Sequence, residues 1–147
     1  MTELILVGTD GSETASLAVT EAAGLAANLD AKLLILTAFP SLADTKLGEH
    51  ARDMPAPKHW RSAQRTEAEK VLTTAVDSLG QSDISVETIA QEGDPAEAIL
   101  RVAEKRQADI IVVGNKGMGG VKRFLLGSVP NKVAHHAPCS VFIVRTT

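Results

Sequence analysis

The chain predicts a three-layer α/β sandwich around a parallel sheet. Two observations point there. Short aliphatic runs alternate with stretches whose apolar residues recur at helical spacing, and the runs are too continuously apolar for a sheet with one wet face. Right-handed crossovers between parallel strands then put helices on both faces. The length of 147 residues adds a third constraint: it suits one domain spanning 1–147, because a core of this size buries roughly 70% of the unfolded surface without disulfides or metals.

The elements follow in order. Glu3 to Gly8 is an aliphatic run that enters the turn Thr9-Asp-Gly-Ser12, so the first strand lies near residues 3–8. Ser12 is a good N-cap, and Ala15, Ala18, Val19, Ala22, Leu25, Ala26 and Leu29 form the apolar stripe of a helix that Gly24 weakens. Lys32 to Phe39 is a second strand, ended by Pro40. Residues 41–59 have no steady period and read as a long loop or short irregular helix; Trp60 then begins a second long helix and reads as an anchor for the segment before it or as a partner contact. Ala68, Val71, Leu72, Ala75 and Leu79 make that helix's buried face, closed by Gly80 in a left-handed conformation. Ile84 to Ala90 alternates as an edge strand ending at Gly93. Asp94-Pro-Ala-Glu97 spells a capping box with proline at the first helical position. Ile110–Val113 is a doubly buried strand, Ser128 caps a last helix reaching about His136, and Val141–Val144 is the final strand.

Composition excludes several classes of function. No apolar run approaches the ~18 residues of a membrane span, and Glu3 sits where a signal peptide needs positive charge, so a cytoplasmic protein is expected. Cys139 is the single cysteine; a buried structural thiol is its expected state, and no zinc site follows from it. His135 and His136 near a helix C-terminus need no catalytic role. The net charge of −3 divides unevenly: residues 1–109 carry ten Lys/Arg against eighteen Asp/Glu, whereas residues 110–147 carry five bases and no acid. Five bases on an apolar segment, with only Phe39, Trp60, Phe124 and Phe142 as aromatics, make a poor nucleic-acid surface and favour a small polyanion.

That polyanion has a candidate seat. In doubly wound sheets, ligands bind at the carboxyl ends of the strands where the winding reverses, here the turns after strands one, two and four. The turn after strand four runs from Gly114 through Gly117 to Gly127-Ser128-Val129. Glycines let main-chain N–H groups approach an anion, and Ser128 at a helix start adds a hydroxyl and the positive end of a helix dipole. Lys116, Lys122 and Arg123 can add charge, although the latter two read equally well as solvated loop residues. Neither a Walker loop nor the dinucleotide-binding glycine turn can be threaded through this chain.

Gly114, Gly117, Gly127 and Ser128 meet the pattern Gly-x2-Gly-x9-Gly-Ser. With Val7-Gly-Thr-Asp-Gly-Ser12 and Ala137-Pro-Cys-Ser-Val-Phe-Ile-Val144, the whole chain resembles a universal stress protein. The resemblance implies a five-stranded parallel sheet of order 3-2-1-4-5, of the adenine nucleotide alpha hydrolase-like type, usually dimeric, cytoplasmic and linked to stress. The glycine pattern implies the ATP-binding subgroup. Carried over by position, Thr9, Asp10 and Ala38 would flank adenine and ribose, with Val113 on the adenine side. Gly114, Lys116 and Gly117 would approach ribose and phosphates, and Gly127, Ser128 and Val129 would bind the phosphate chain. Asn115 and Lys116 occupy variable places in the pattern. Two readings stand for Asp10: a ligand contact, or an Asx turn that organises Gly11 and the first helix.

No nucleophile and base stand together at recognisable spacing, so at most slow ATP hydrolysis with Mg²⁺ is expected. The expected function is an ATP-dependent regulator with little or no catalysis and an unidentified protein partner. The alternatives are a cyclic AMP (cAMP) sensor or buffer using the same crevice, and a dimeric scaffold with a vestigial site. Val141–Val144 lacks Lys, Pro or a bulge, and as an edge strand it is expected to pair with a second copy.

Overall fold

The computed structural model describes residues 1–41, 58–116 and 126–146. Five parallel strands, β1 (Leu4–Gly8), β2 (Lys32–Phe39), β3 (Val86–Glu92), β4 (Ile110–Gly114) and β5 (Ser140–Val144), lie in the order β3-β2-β1-β4-β5. The described helices are α1 (Glu13–Leu29), α2 (Lys58–Ser78), α3 (Pro95–Arg106) and α4 (Ser128–His136). The chain winds from β1 outward to β3 and then returns to β4 on the other side of β1. The β1/β4 pair, in register at Val7 and Val112, is therefore the point where winding reverses.

Period-two alternation along each strand sorts the aliphatic residues into two cores. Ile5, Val7, Leu33, Ile35 and Val112 face α1 and α2, meeting Ala18, Val19, Ala22, Ala26 and Leu72. Leu6, Leu34, Leu36, Ile111 and Val113 face α3 and α4, meeting Ala98, Ile99, Val102 and Val133. Small residues on α1 let that helix lie close to the sheet, while the three central strands fill both layers. Truncating a fully buried Leu6 or Ile111 to alanine would cost about 2–5 kcal/mol.

The predicted caps of α1 and α3 form. Ser12 Oγ accepts from the Ala15 N–H at 3.1 Å, and Asp94 Oδ2 accepts from the Glu97 N–H at 3.1 Å behind Pro95. The capping box is one-sided: the Glu97 carboxylate accepts instead from Lys132 Nζ on α4, at 3.1 Å. Asp30 and Gln107 close α1 and α3 in the left-handed conformation, and Gly80 follows α2 with φ +64°. At the other ends of the strands from the switch-point turns, Asp109 accepts from the Glu3 and Leu4 N–H groups, and these bonds hold its carboxyl below its usual range.

Three expectations need correction. The long helix α2 begins at Lys58, ahead of Trp60, and its first turns are polar because the helix covers the outer part of the sheet, where among its described side chains only Ala68 and Leu72 are buried. Strand β3 runs two residues later than its alternation suggested, because pairing with Leu33–Phe39 carries it to Glu92. Ser128 is the first residue of α4 rather than its cap; Gly127 takes the cap position in an extended conformation, with no side-chain bond. Residues 42–57 and 117–125 lie outside the described residues, and with them Gly117, Lys122 and Arg123.

Candidate functional site at the switch point

The turn after β1 is organised by its own side chains. The Thr9 N–H donates to the Leu36 carbonyl at 2.9 Å, which ties the turn to β2. Thr9 Oγ1 accepts from the Gly11 N–H at 3.2 Å, and Asp10 Oδ1 accepts from the Ser12 N–H at 2.9 Å. The Asx turn is thus present, and it leaves the second oxygen of the exposed Asp10 without a hydrogen bond among the described residues. Gly11 has φ +83°, and a Cβ there would sit 3.1 Å from a Val71 methyl, so the turn needs glycine twice over. Gly8 serves packing: a Cβ would lie 2.7 Å from Ile99 Cδ1.

Ala38 is half-buried one residue before the end of β2, and Val113 is buried one residue before the end of β4. Both pack on the α3/α4 side of the sheet. Gly114 closes β4 opposite Val144, and among the described residues a Cβ at Gly114 would find only ordinary contacts, the nearest being the Thr146 methyl at 3.5 Å. Nothing among the described residues therefore requires glycine at 114. Gly127 differs: it is buried, and a Cβ would stand 3.3 Å from the Lys116 Cα.

The two described ends of the glycine-rich turn meet at Asn115. Its carbonyl accepts from the Gly127 N–H at 2.9 Å, and its own N–H donates to the Val144 carbonyl at 2.9 Å. The Gly127 amide, expected to face phosphate, is therefore engaged within the protein. An α-helix leaves its first N–H groups without intrahelical acceptors, and Pro130 has none to offer, so at the head of α4 the Ser128 and Val129 amides are the ones with no acceptor among the described residues. The Ser128 side chain is exposed and makes no hydrogen bond among the described residues. Lys116 is half-buried beside this head.

Not every base of the acid-free segment faces this turn. Lys132 is held by Glu97 at 3.1 Å and by Asp94 at 3.9 Å, so its charge is already partnered. Neither Asn115 nor Thr146 belongs to a fixed position of the glycine pattern; an Asn directly after a strand-ending glycine is the local signal that marks the pair. Cys139 is half-buried rather than buried, and desolvation followed by the nearby Asp109 charge pushes its thiol up, away from reactive thiolate. His135 and His136 are exposed. No three His, Cys, Asp or Glu side chains among the described residues are grouped to hold a metal ion, and no described helix is long and apolar enough to cross a membrane.

The model of the universal stress protein family matches residues 1–145. The chain belongs to the universal stress protein family. The universal stress protein YxiE of Bacillus subtilis is 33% identical over 145 residues, covering 96% of this chain and 97% of that one. A solved universal stress protein in complex with cAMP is 31% identical with TM-score 0.71, covering 99% of this chain and 98% of its own. The universal stress protein UspA from Lactobacillus plantarum is 27% identical with TM-score 0.79, with 97% of each chain covered. The strand order expected from the resemblance is the order found.

Proposed function

We propose that this universal stress protein binds ATP at the β1/β4 switch point and acts as a nucleotide-dependent regulator with little or no catalysis. The observation that carries the reading is the head of α4: two main-chain N–H groups without intrahelical acceptors, beside a Ser128 hydroxyl that makes no hydrogen bond among the described residues, at the end of a glycine-rich turn. An anion there meets aligned donors and no carboxylate from the whole segment 110–147. Ser128 and Val129 would hold the phosphate chain, with Gly114, Lys116 and Gly117 nearer ribose and phosphates. Thr9, Asp10, Ala38 and Val113 would flank the nucleoside, the free Asp10 oxygen accepting from ribose or base. Mg²⁺ travels with ATP and would be held chiefly by the phosphates, since Asp10 is the one carboxylate among the described turn residues 9–12 and 115–116.

A second reading, cAMP in the same crevice, is favoured by the related protein solved in complex with cAMP. Competition calorimetry with ATP, ADP, AMP and cAMP separates the two. ATP should bind most tightly; tighter binding of cAMP would replace the first reading with the second.

The reading extends to a cytoplasmic homodimer. Among the described residues β5 pairs only with β4, and Phe142 on that strand is 45% exposed. Antiparallel pairing of two copies along Val141–Val144 would cover both the edge and the ring.

A further inference from the structure

One side chain joins the end of β4 to the segment after β5. The Asn115 carboxamide oxygen accepts twice from Thr146, from its main-chain N–H at 2.9 Å and from its hydroxyl at 2.7 Å. With the Asn115 main-chain bonds to Val144 and Gly127, four hydrogen bonds converge on this residue. They connect the last residues of β4, the cap of α4 and the tail of the edge strand.

The arrangement bears on the amides of Ser128 and Val129. These follow Gly127 directly, so where Gly127 is anchored decides where they point. Gly127 is anchored by the Asn115 carbonyl, and Asn115 is held by Val144 and Thr146. Donors fixed before the ligand arrives bind without the cost of ordering them. Resting on the nucleotide reading above, we propose that Asn115 and Thr146 are a positioning pair. They hold the head of α4 in register with Gly114, so that nucleotide binding at the head and order in the tail after β5 reinforce each other. Linkage makes the effect reciprocal: a tail that favours the nucleotide must be favoured by it. The occupied site is thereby connected to the strand edge where a second copy would pair.

Three full-length variants test this: N115A removes both side-chain acceptor bonds, T146V removes only the hydroxyl donor, and T146S restores it. ATP affinity is read by calorimetry and exchange of the Thr146 amide by NMR. Loss of these bonds should raise Kd about tenfold in N115A and several-fold in T146V, with T146S near the parent. Saturating ATP should slow exchange of the Thr146 amide in the parent, a response that a purely structural bond would not give. Should N115A fail to fold, the T146V and T146S pair decides. ATP binding with Thr146 exchange unchanged and T146V within twofold of the parent would overturn the positioning role alone. No binding of ATP by the parent would remove the nucleotide reading and this inference with it.

Discussion

Replacing Ser128 with alanine separates a ligand contact from a structural one. The side chain is exposed at the first position of α4, its hydroxyl has no partner among the described residues, and the cap position belongs to Gly127. Alanine is also the better helix former, so unfolding free energy without ligand should change by no more than about 0.5 kcal/mol. A hydroxyl donating to a charged phosphate oxygen contributes about 1.5–3 kcal/mol. The Kd for ATP should therefore rise by about 10–150-fold. Urea denaturation without ligand and calorimetry with ATP read the two quantities separately. ATP binding unchanged by S128A would refute the phosphate contact, and a stability loss beyond about 1 kcal/mol would mean that the hydroxyl serves the fold.

Other outcomes follow from the same geometry. Gly24 is exposed in mid-helix, with open space around its absent Cβ, so G24A should stabilise by about 0.5–1 kcal/mol in a thermal melt. G127A should destabilise by about 1–3 kcal/mol in urea because its Cβ presses on the Lys116 backbone, whereas G114A should leave stability nearly unchanged. Arg106, then Lys32, hold Glu87 at the sheet edge with its pKa lowered from 4.5 to about 2. A lowered folded-state pKa means the stabilisation is present in full above pH 4.5 and is lost as pH falls towards 2. Because the Glu87 side chain is 36% exposed, E87Q should cost only about 1 kcal/mol at neutral pH, and its urea midpoint should approach the parent's as pH falls from 4.5 towards 2. F142E should turn the proposed dimer into a monomer in light scattering, since the exposed ring stands on β5, which among the described residues pairs only with β4.

Much of this fold could be read from local pattern. Runs such as Leu33–Leu36 are buried on both faces, and that alone demands two helical layers. Asp94-Pro95 and Ser12 announced their helices because capping is a short-range hydrogen bond. What escaped was long-range or weakly amphipathic. The bond between Asn115 and Thr146 spans 31 positions and leaves no periodic trace. The salt link from Lys132 to Glu97 spans 35, so the charge count alone overstated the cations free for an anion. Helix α2 starts before its apolar stripe because a helix over the sheet's outer strands buries no side chain fully between Trp60 and Glu67. Of the candidate site, Thr9, Asp10 and Gly114 stand at strand ends as topology required. Gly127 was assigned to phosphate because sequence cannot show that its amide already has an acceptor in Asn115.

Amide chemical shifts during a titration with ATP examine the phosphate seat most directly. The account predicts that the Ser128 and Val129 N–H resonances move most and saturate together with those of Thr9 and Gly114. Resonances that shift elsewhere on the protein, while these four stay in place at saturating nucleotide, would contradict it.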